Sequence, residues 1–395
     1  NGSNMWNYFT PEQCTVGIMS KGKTPQEIPS GRYEAKDVHL KKQKPSDIVF
    51  ESTPQGSFTE SPTVHLKIEY QSQHPAAVNA LLADMITKGS GKVCPDKIQQ
   101  VMGSNGVIRK TQATPAGYAL NYQCPANSVD LITTELSQPL FDHNELQRAV
   151  KQHAQGLVSS QDNVDLHVVN ILKNKLFNTP MPCSDIESLC SIAKLQNIPK
   201  PCKITASGPK EALDKIKNLH VAGFKEEYPK PTGATGSYHH VVDKTSCAVV
   251  WGCAVEPNAI IKVAASVLGV GFAGSLMQKV RDEKGLTYGI YAGVTDNMFL
   301  VKTSFNPTLL KQGIEETEKQ IAMWRHGVTA EELQKHKSMI IGQRMVLQDD
   351  MAKYVDFTHS NKISNEQINS VTLEDVNFTL EKLPELYRVS SGPKM

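Results

Sequence analysis

The sequence predicts an α+β protein built from two domains of like fold, each a mainly antiparallel sheet packed with helices. Three observations carry this. The first is an internal repeat: Glu145-Leu146-Gln147 runs on to Gln161-Asp162, and Glu332-Leu333-Gln334 runs on at the same spacing to Gln348-Asp349, 187 residues later. The second is a repeated strand ending, Ile204 to Lys210 against Arg388 to Lys394, both closing on Ser-Gly-Pro and offset by 184 residues. Two matches at nearly one offset argue for a duplicated unit. The third is that helical and strand periods mix without strict alternation, which disfavours a doubly wound parallel sheet.

The elements follow in order. Val64 to Glu69 alternates as a strand, Ala76 to Thr87 has a helical period, and Tyr118 to Cys124 alternates again. In the second copy Cys247 to Ala254 reads as a strand, Asn258 to Leu268 as a helix and Phe299 to Phe305 as a strand. The repeated Glu-Leu-Gln stretches are long helices, the first with Leu146, Ala149, Val150 and Leu157 on its apolar face. Pro229, Pro231, Gly233 and Gly236 break any period between Tyr228 and Ser237. The expected organisation is a lead-in over 1–44, a first domain over 45–228 and a second over 229–395.

Bulk composition narrows the function. A chain of 395 residues with 42 Lys and Arg against 40 Asp and Glu has a formal net charge of +2, so there is no broad electrostatic case for nucleic acid. No apolar run approaches the roughly 20 residues of a membrane span. A soluble protein of the cytosol or an organelle lumen is expected, with the compartment open. The opening Asn1-Gly2-Ser3-Asn4 lacks an initiator Met, as in a processed, partial or tagged chain. Eight cysteines include no CxxC pair, which disfavours a zinc knuckle and leaves buried thiols and disulfides both open. The sequons at Asn1 and Asn377 are short enough to arise by chance.

Several local patterns carry little. Gly269 to Gly274 satisfies GxGxxG, but a helix and not a strand precedes it, so an interhelical loop is expected and a nicotinamide-dependent oxidoreductase is remote. His239 and His240 fall on opposite faces of an extended segment, and His143 and His153 show no ligand spacing. Cys183, Cys190 and Cys202 have no partner motif for a catalytic thiol. His65 and Glu69 share one face of their strand, expected to be the solvated one.

The specific string is Phe272-Ala273-Gly274-Ser275-Leu276 followed by Val280 to Tyr288, which ends Arg281-Asp282-Glu283-Lys284-Gly285-Leu286-Thr287-Tyr288. It resembles the second-domain signature of the pitrilysin/insulysin zinc metallopeptidases, in which a helix ending R-x-x-x-G-L-x-Y runs into a strand. The likeness extends over nearly the whole chain, and Asn7 to Glu12 with Val16 to Ser20 resembles the segment leading into the C-terminal half of insulysins.

The resemblance implies where a zinc site would lie. The active half of that family carries H-x-x-E-H ahead of a Gly-Ser/Thr pair, two His on one helix face and a Glu as general base. Anchored on Gly89-Ser90, those positions here hold Ala80, Ala83 and Asp84. The helix that supplies a third ligand has no Asp or Glu from Leu146 to Gln161. No metal ligand and no cofactor are therefore expected in this chain, and zinc is expected in a partner half.

What matches is Arg281 and Tyr288. In the family such a pair reaches peptide bound at the other half: a guanidinium holds carbonyl oxygens and a phenol donates to the developing oxyanion. Taken alone, Arg281 would complement a helix C-terminus and Tyr288, at the start of a strand, would fill a core. The expectation is a non-catalytic half that closes a peptidase chamber over a catalytic half bearing H-x-x-E-H, binds peptide, and is inactive alone. The alternative is a scaffolding homologue like the core subunits of respiratory complexes.

Overall fold

The computed structural model describes residues 48–394 apart from 55, 73, 75, 92, 115–116, 162, 180–200, 220, 223–229 and 272–273. The lead-in over 1–44, Cys14, Cys183, Cys190 and the Phe272-Ala273 start of the diagnostic string lie outside the described residues.

The first sheet comprises β1 (Glu51–Thr53), β2 (Gly56–Glu60), β3 (Val64–Gln71), β4 (Ile108–Thr114), β5 (Gly117–Cys124) and β6 (Pro201–Gly208), in the order β1-β2-β6-β3-β5-β4. The second comprises β7 (Ser237–Val241), β8 (Cys247–Ala254), β9 (Ile290–Thr295), β10 (Met298–Phe305) and β11 (Tyr387–Gly392), in the order β7-β11-β8-β10-β9. Setting aside the β1 hairpin, both sheets place their strands first, last, second, fourth, third. In each the first strand runs parallel to the last, β2 with β6 and β7 with β11, and every other pairing is antiparallel. The duplication read from the repeat is thus a duplication of topology, and the α+β class holds.

Helices cover one face of each sheet. In the first copy these are α1 (Ala76–Ile86), α2 (Pro95–Ser104), α3 (Val129–Ser137), α4 (His143–Gln161) and, after β6, α6 (Lys210–Lys217). Strand alternation sends Val64, Leu66, Ile68 and Tyr70 of β3 into one core with Leu81, Met85 and Ile132. In the second copy α7 (Ala259–Gly269), α8 (Leu310–Arg325), α9 (Ala330–Leu347) and α12 (Leu373–Lys382) meet Cys247, Val249, Trp251 and Cys253 of β8.

The opposite faces are closed by an exchange. Helix α5 (Val164–Phe177) leaves α4 and lays Val168, Ile171, Leu172 and Leu176 on Ala248, Val250, Leu300 and Val389 of the second sheet. Helix α10 (Met351–Ser360) leaves α9 and lies on β3 and β6 of the first sheet. Both begin at the equivalent repeat position: the Asn163 Oδ1 accepts from the Leu166 N–H at 3.1 Å, and the Asp350 Oδ1 accepts from the Lys353 N–H at 3.2 Å. The short α11 (Asn365–Ser370) then leads to α12.

This corrects the reading of His65 and Glu69. Their face of β3 is not solvated: α10 buries both, together with Lys67. The GxGxxG segment is the expected helix exit. Gly269 ends α7, and a Cβ on Gly274 would fall 2.7 Å from the Gly269 Cα, so glycine there serves close backbone approach. All five cysteines among the described residues are free, and four of them are buried.

Candidate substrate loop and degenerate metal site

The α1 helix holds its three motif positions on successive turns of one face. Ala83 is fully buried in the first core, Ala80 is partly exposed, and neither methyl offers a donor. Asp84 is partly exposed, with its Oδ2 3.5 Å from the Lys88 Nζ one turn on and 3.5 Å from the His153 Nε2 on α4. Burial acts to raise the Asp84 carboxyl, but the hydrogen bond with His153 and the charge of Lys88 outweigh it and hold it below its ordinary value.

His153 was passed over in the sequence for want of a ligand spacing, yet it bridges the two helices that matter. The available signal is its place on α4, the helix where the family's third ligand would lie. The C-terminal end of α1 is locked from another side. The Arg109 Nη1 donates to the Thr87 carbonyl at 3.1 Å and pairs with Glu135, whose other oxygen accepts from the Tyr122 hydroxyl at 2.8 Å. Glu135 is fully buried, and burial raises its carboxyl against the pull of Arg109 and Tyr122.

Zinc requires at least three protein donors in a catalytic site. Asp84 and His153 supply two, and among the described residues no group of three His, Cys, Asp or Glu is placed to hold a metal. The donor set does not fit the ion, so no chemistry is routed through it here.

Arg281 lies in a π-helical segment, Met277–Glu283, whose end is capped by left-handed Gly285 with φ +65°. The Gly285 N–H donates to the Arg281 carbonyl at 2.8 Å and the Leu286 N–H to the Val280 carbonyl at 3.0 Å. The Arg281 side chain is partly exposed, its Nη1 3.7 Å from the Asp282 Oδ1. Leu286 then plugs the core, 4% exposed.

The loop beyond is fastened on both sides of Tyr288. The Thr287 Oγ1 donates to the Ser304 carbonyl at 2.8 Å and lies 2.9 Å from the Thr303 Oγ1, and the Thr303 hydroxyl donates to the Gly289 carbonyl at 2.9 Å. Tyr288, held between the two anchors, is 101% exposed. This corrects two expectations: Tyr288 precedes β9 in a loop instead of starting the strand, and it fills no core. The seven-residue spacing thus leaves a rigid backbone that presents an aromatic hydroxyl to solvent.

With this geometry in hand, residues 210–340 match the family model described as the peptidase M16 inactive domain. Those residues thus resemble a peptidase M16 inactive domain. The resemblance to pitrilysin/insulysin peptidases and the paired-domain α+β fold therefore stand. Among relatives, the chain is 22% identical over 295 residues to the "Non-peptidase homolog YmxG" of Helicobacter pylori, covering 64% of this chain and 68% of that one. A solved peptidase M16 inactive domain from Pseudomonas fluorescens superposes with TM-score 0.72 at 17% identity, covering 88% of this chain and 99% of that one. The periplasmic protease PqqL from Escherichia coli superposes with TM-score 0.61 at 11% identity. This chain is covered in full by that match and spans 52% of PqqL. Among the described residues no helix is long and apolar enough to cross a membrane.

Proposed function

We propose that this M16 chain is the non-catalytic half of an inverted-motif zinc metalloendopeptidase. It closes over a catalytic half bearing H-x-x-E-H, with Arg281 and Tyr288 turned toward peptide held at that half's zinc, and it carries no zinc itself. The observation that carries the reading is the pairing of opposites within one chain. The metal positions hold Ala80, Ala83 and Asp84, while the substrate loop is intact, anchored by Thr287 and Gly289, and displays a fully exposed tyrosine. A structure kept only for packing has no use for a solvent-facing ring on so firmly tethered a loop. That the chain spans about half of PqqL supports a half-enzyme.

Chemically, the Tyr288 hydroxyl would donate to the oxyanion formed when water attacks the scissile carbonyl, and the Arg281 guanidinium would fix neighbouring carbonyl oxygens. Loss of one such donor costs about 100-fold or more in rate. The test is cleavage of a quenched fluorescent peptide by the chain alone, by a catalytic half alone, and by the mixture, with Arg281→Ala and Tyr288→Ala in the mixture. Activity confined to the mixture and cut by about 100-fold in either variant is the expected result. Cleavage by the chain alone, or one stoichiometric zinc per chain in elemental analysis, would sink the reading.

The scaffolding alternative keeps one specific support, the printed name of the Helicobacter relative as a non-peptidase homologue. In that case the mixture cleaves no faster than the catalytic half alone and both variants are silent.

A further inference from the structure

Among the described residues, the buried cations Lys67, Arg109 and Lys337 each have a countercharge or a set of carbonyls. Lys67 has Asp356, Arg109 has Glu135, and the Lys337 Nζ donates to the Asn369 and Val371 carbonyls at 2.6 and 2.8 Å. Lys262 on α7 and Arg344 on α9 break this rule. Both lie over one ring, Phe357 of α10: the Lys262 Nζ is 6.0 Å and the Arg344 Cζ 5.3 Å from its centroid. Among the described residues neither is paired with a carboxylate.

Their polar partners are two amide oxygens. The Arg344 Nη1 donates to the Asn365 Oδ1 at 2.8 Å, and the Lys262 Nζ is 3.5 Å from the Asn361 Oδ1. The Arg344 Nε and Nη2 are buried with no acceptor, on a residue only 6% exposed. The ring attracts each cation, but their mutual repulsion and the unsatisfied Arg344 Nε and Nη2 are unfavourable without an anion. Lys262 is partly exposed, so the pair is reachable from solvent on that side.

We propose that Lys262 and Arg344 form a binding site for a phosphate-class oxyanion, with Phe357 as its apolar wall. Two positive charges match a dianion, whereas a carboxylate would neutralise only one. The guanidinium fork suits paired oxygens and the ammonium supplies a point charge from α7. Burial, and then the charge of Arg344, push the Lys262 ammonium down to about 8; Tyr354 is the titratable neighbour of Arg344 from α10. A bound dianion reverses that depression. The site is independent of the peptidase reading, since none of its residues belongs to the α1 motif or to the Tyr288 loop.

The experiment is NMR of the full chain with lysines dimethylated by ¹³C-formaldehyde, the Lys262 signal being identified by its loss in Lys262→Arg. Inorganic phosphate, O-phosphoserine, acetate and chloride are titrated at matched ionic strength. The expected result is a Lys262 apparent pKa raised by about one unit with either phosphate form and by much less with acetate or chloride. Tighter binding of O-phosphoserine than of inorganic phosphate marks the phosphoryl group of a protein as the source, and the reverse order marks free phosphate. Arg344→Gln should weaken phosphate at least about tenfold. If that variant does not fold, Lys262→Met replaces it, and the phosphate-induced gain in Tm seen in the parent should vanish. Equal responses to chloride and phosphate, no response to millimolar phosphate, or an unchanged gain in Lys262→Met would each overturn the site.

Discussion

The two exchanged helices occupy equivalent places and rest on opposite kinds of surface. Helix α5 lies on a face of the second sheet made of Ala248, Val250, Met298, Leu300 and Val389, an apolar contact closed by Leu172, with Asp165 bonded to Ser304 and Lys173 to Asp296 beside it. Helix α10 lies on a face of the first sheet made of His65, Lys67, Glu69, Thr205 and Ser207, all buried. There the Asp356 carboxylate pairs with Lys67. The His359 Nδ1 lies 3.0 Å from the Thr205 Oγ1 and its Nε2 3.2 Å from the Glu69 Oε2, and the Lys203 ammonium donates to the His359 carbonyl. One duplicated topology has thus been closed once mainly by apolar area and once mainly by matched polar groups. An apolar contact tolerates small shifts in register, whereas a hydrogen-bonded one fixes it, and an unmatched member is costly. The α10 seam even retains orphans, the His65 Nδ1 and the Ser207 Oγ.

The largest expected effect breaks the apolar side. Leu172 is fully buried between α5 and β8, with its Cδ2 against Gly252. Leu172→Ala should cost about 2–5 kcal/mol in urea unfolding, the range for a buried Leu that leaves a cavity. A loss below about 1 kcal/mol would mean that α5 is not held by this contact. Asp356→Asn comes next. It strands the Lys67 ammonium, 4% exposed, beneath α10, and should cost about 1–3 kcal/mol. Adding Lys67→Met should return most of that loss, because it removes the buried charge that Asp356→Asn leaves unpaired. If the double variant is as unstable as the single one, the seam is held by something other than this pair.

Much of this architecture is written locally. Alternation in β8 and β10, the Asn258 cap of α7 and the Gly285 stop are nearest-neighbour signals, and each falls where the sequence puts it. The repeat even marks the point where each exchanged helix begins. Which sheet those helices cover is not local. Amphipathicity shows that α10 has a buried side, but its cover for His65, Lys67 and Glu69 comes from nearly 300 residues away, so polar alternation in β3 reads as solvent-facing. The same holds at the candidate sites. Arg281 and Tyr288 are legible because their string is contiguous, whereas Asp84 with His153, and Lys262 with Arg344, meet only once helices far apart in the chain are packed together. The exposure of Tyr288 also needed the structure, since it follows from the anchoring of its two neighbours to β10.

The surface of the second sheet offers a stability control for the function proposed above. Tyr288 is fully exposed and has no packing to lose, so Tyr288→Ala should change unfolding free energy by no more than about 0.5 kcal/mol. A larger loss would show that its effect on cleavage reports misfolding.

The finest distinction between the two seams is their response to acid. In the α10 seam burial pushes the His359 imidazole down, and although Glu69 pulls it up, Lys203 and Lys67 leave it below its ordinary value. Burial alone would raise the Glu69 carboxyl, but the hydrogen bond and charge of His359 and the charge of Lys203 bring it below the usual range. Both groups bind protons less readily folded than unfolded, so both make stability rise with pH. The His359 contribution is whole above the ordinary histidine value of about 6.5 and declines below it. The Glu69 contribution is whole above about 4.3 and is lost as pH falls through its folded value. The α5 helix carries a histidine counterpart, His167, held down by burial and by His240, whose ring is 4.7 Å away. His167 is partly exposed and His359 only 2% exposed, so the buried ring should dominate. Urea unfolding between about pH 7 and pH 5 should show a decline in stability that His359→Gln flattens clearly and His167→Gln only slightly. Equal flattening by the two variants would erase the contrast between the mainly apolar seam and the polar one. A steeper decline in His359→Gln would reverse the sign and mean that His359 is charged in the folded protein.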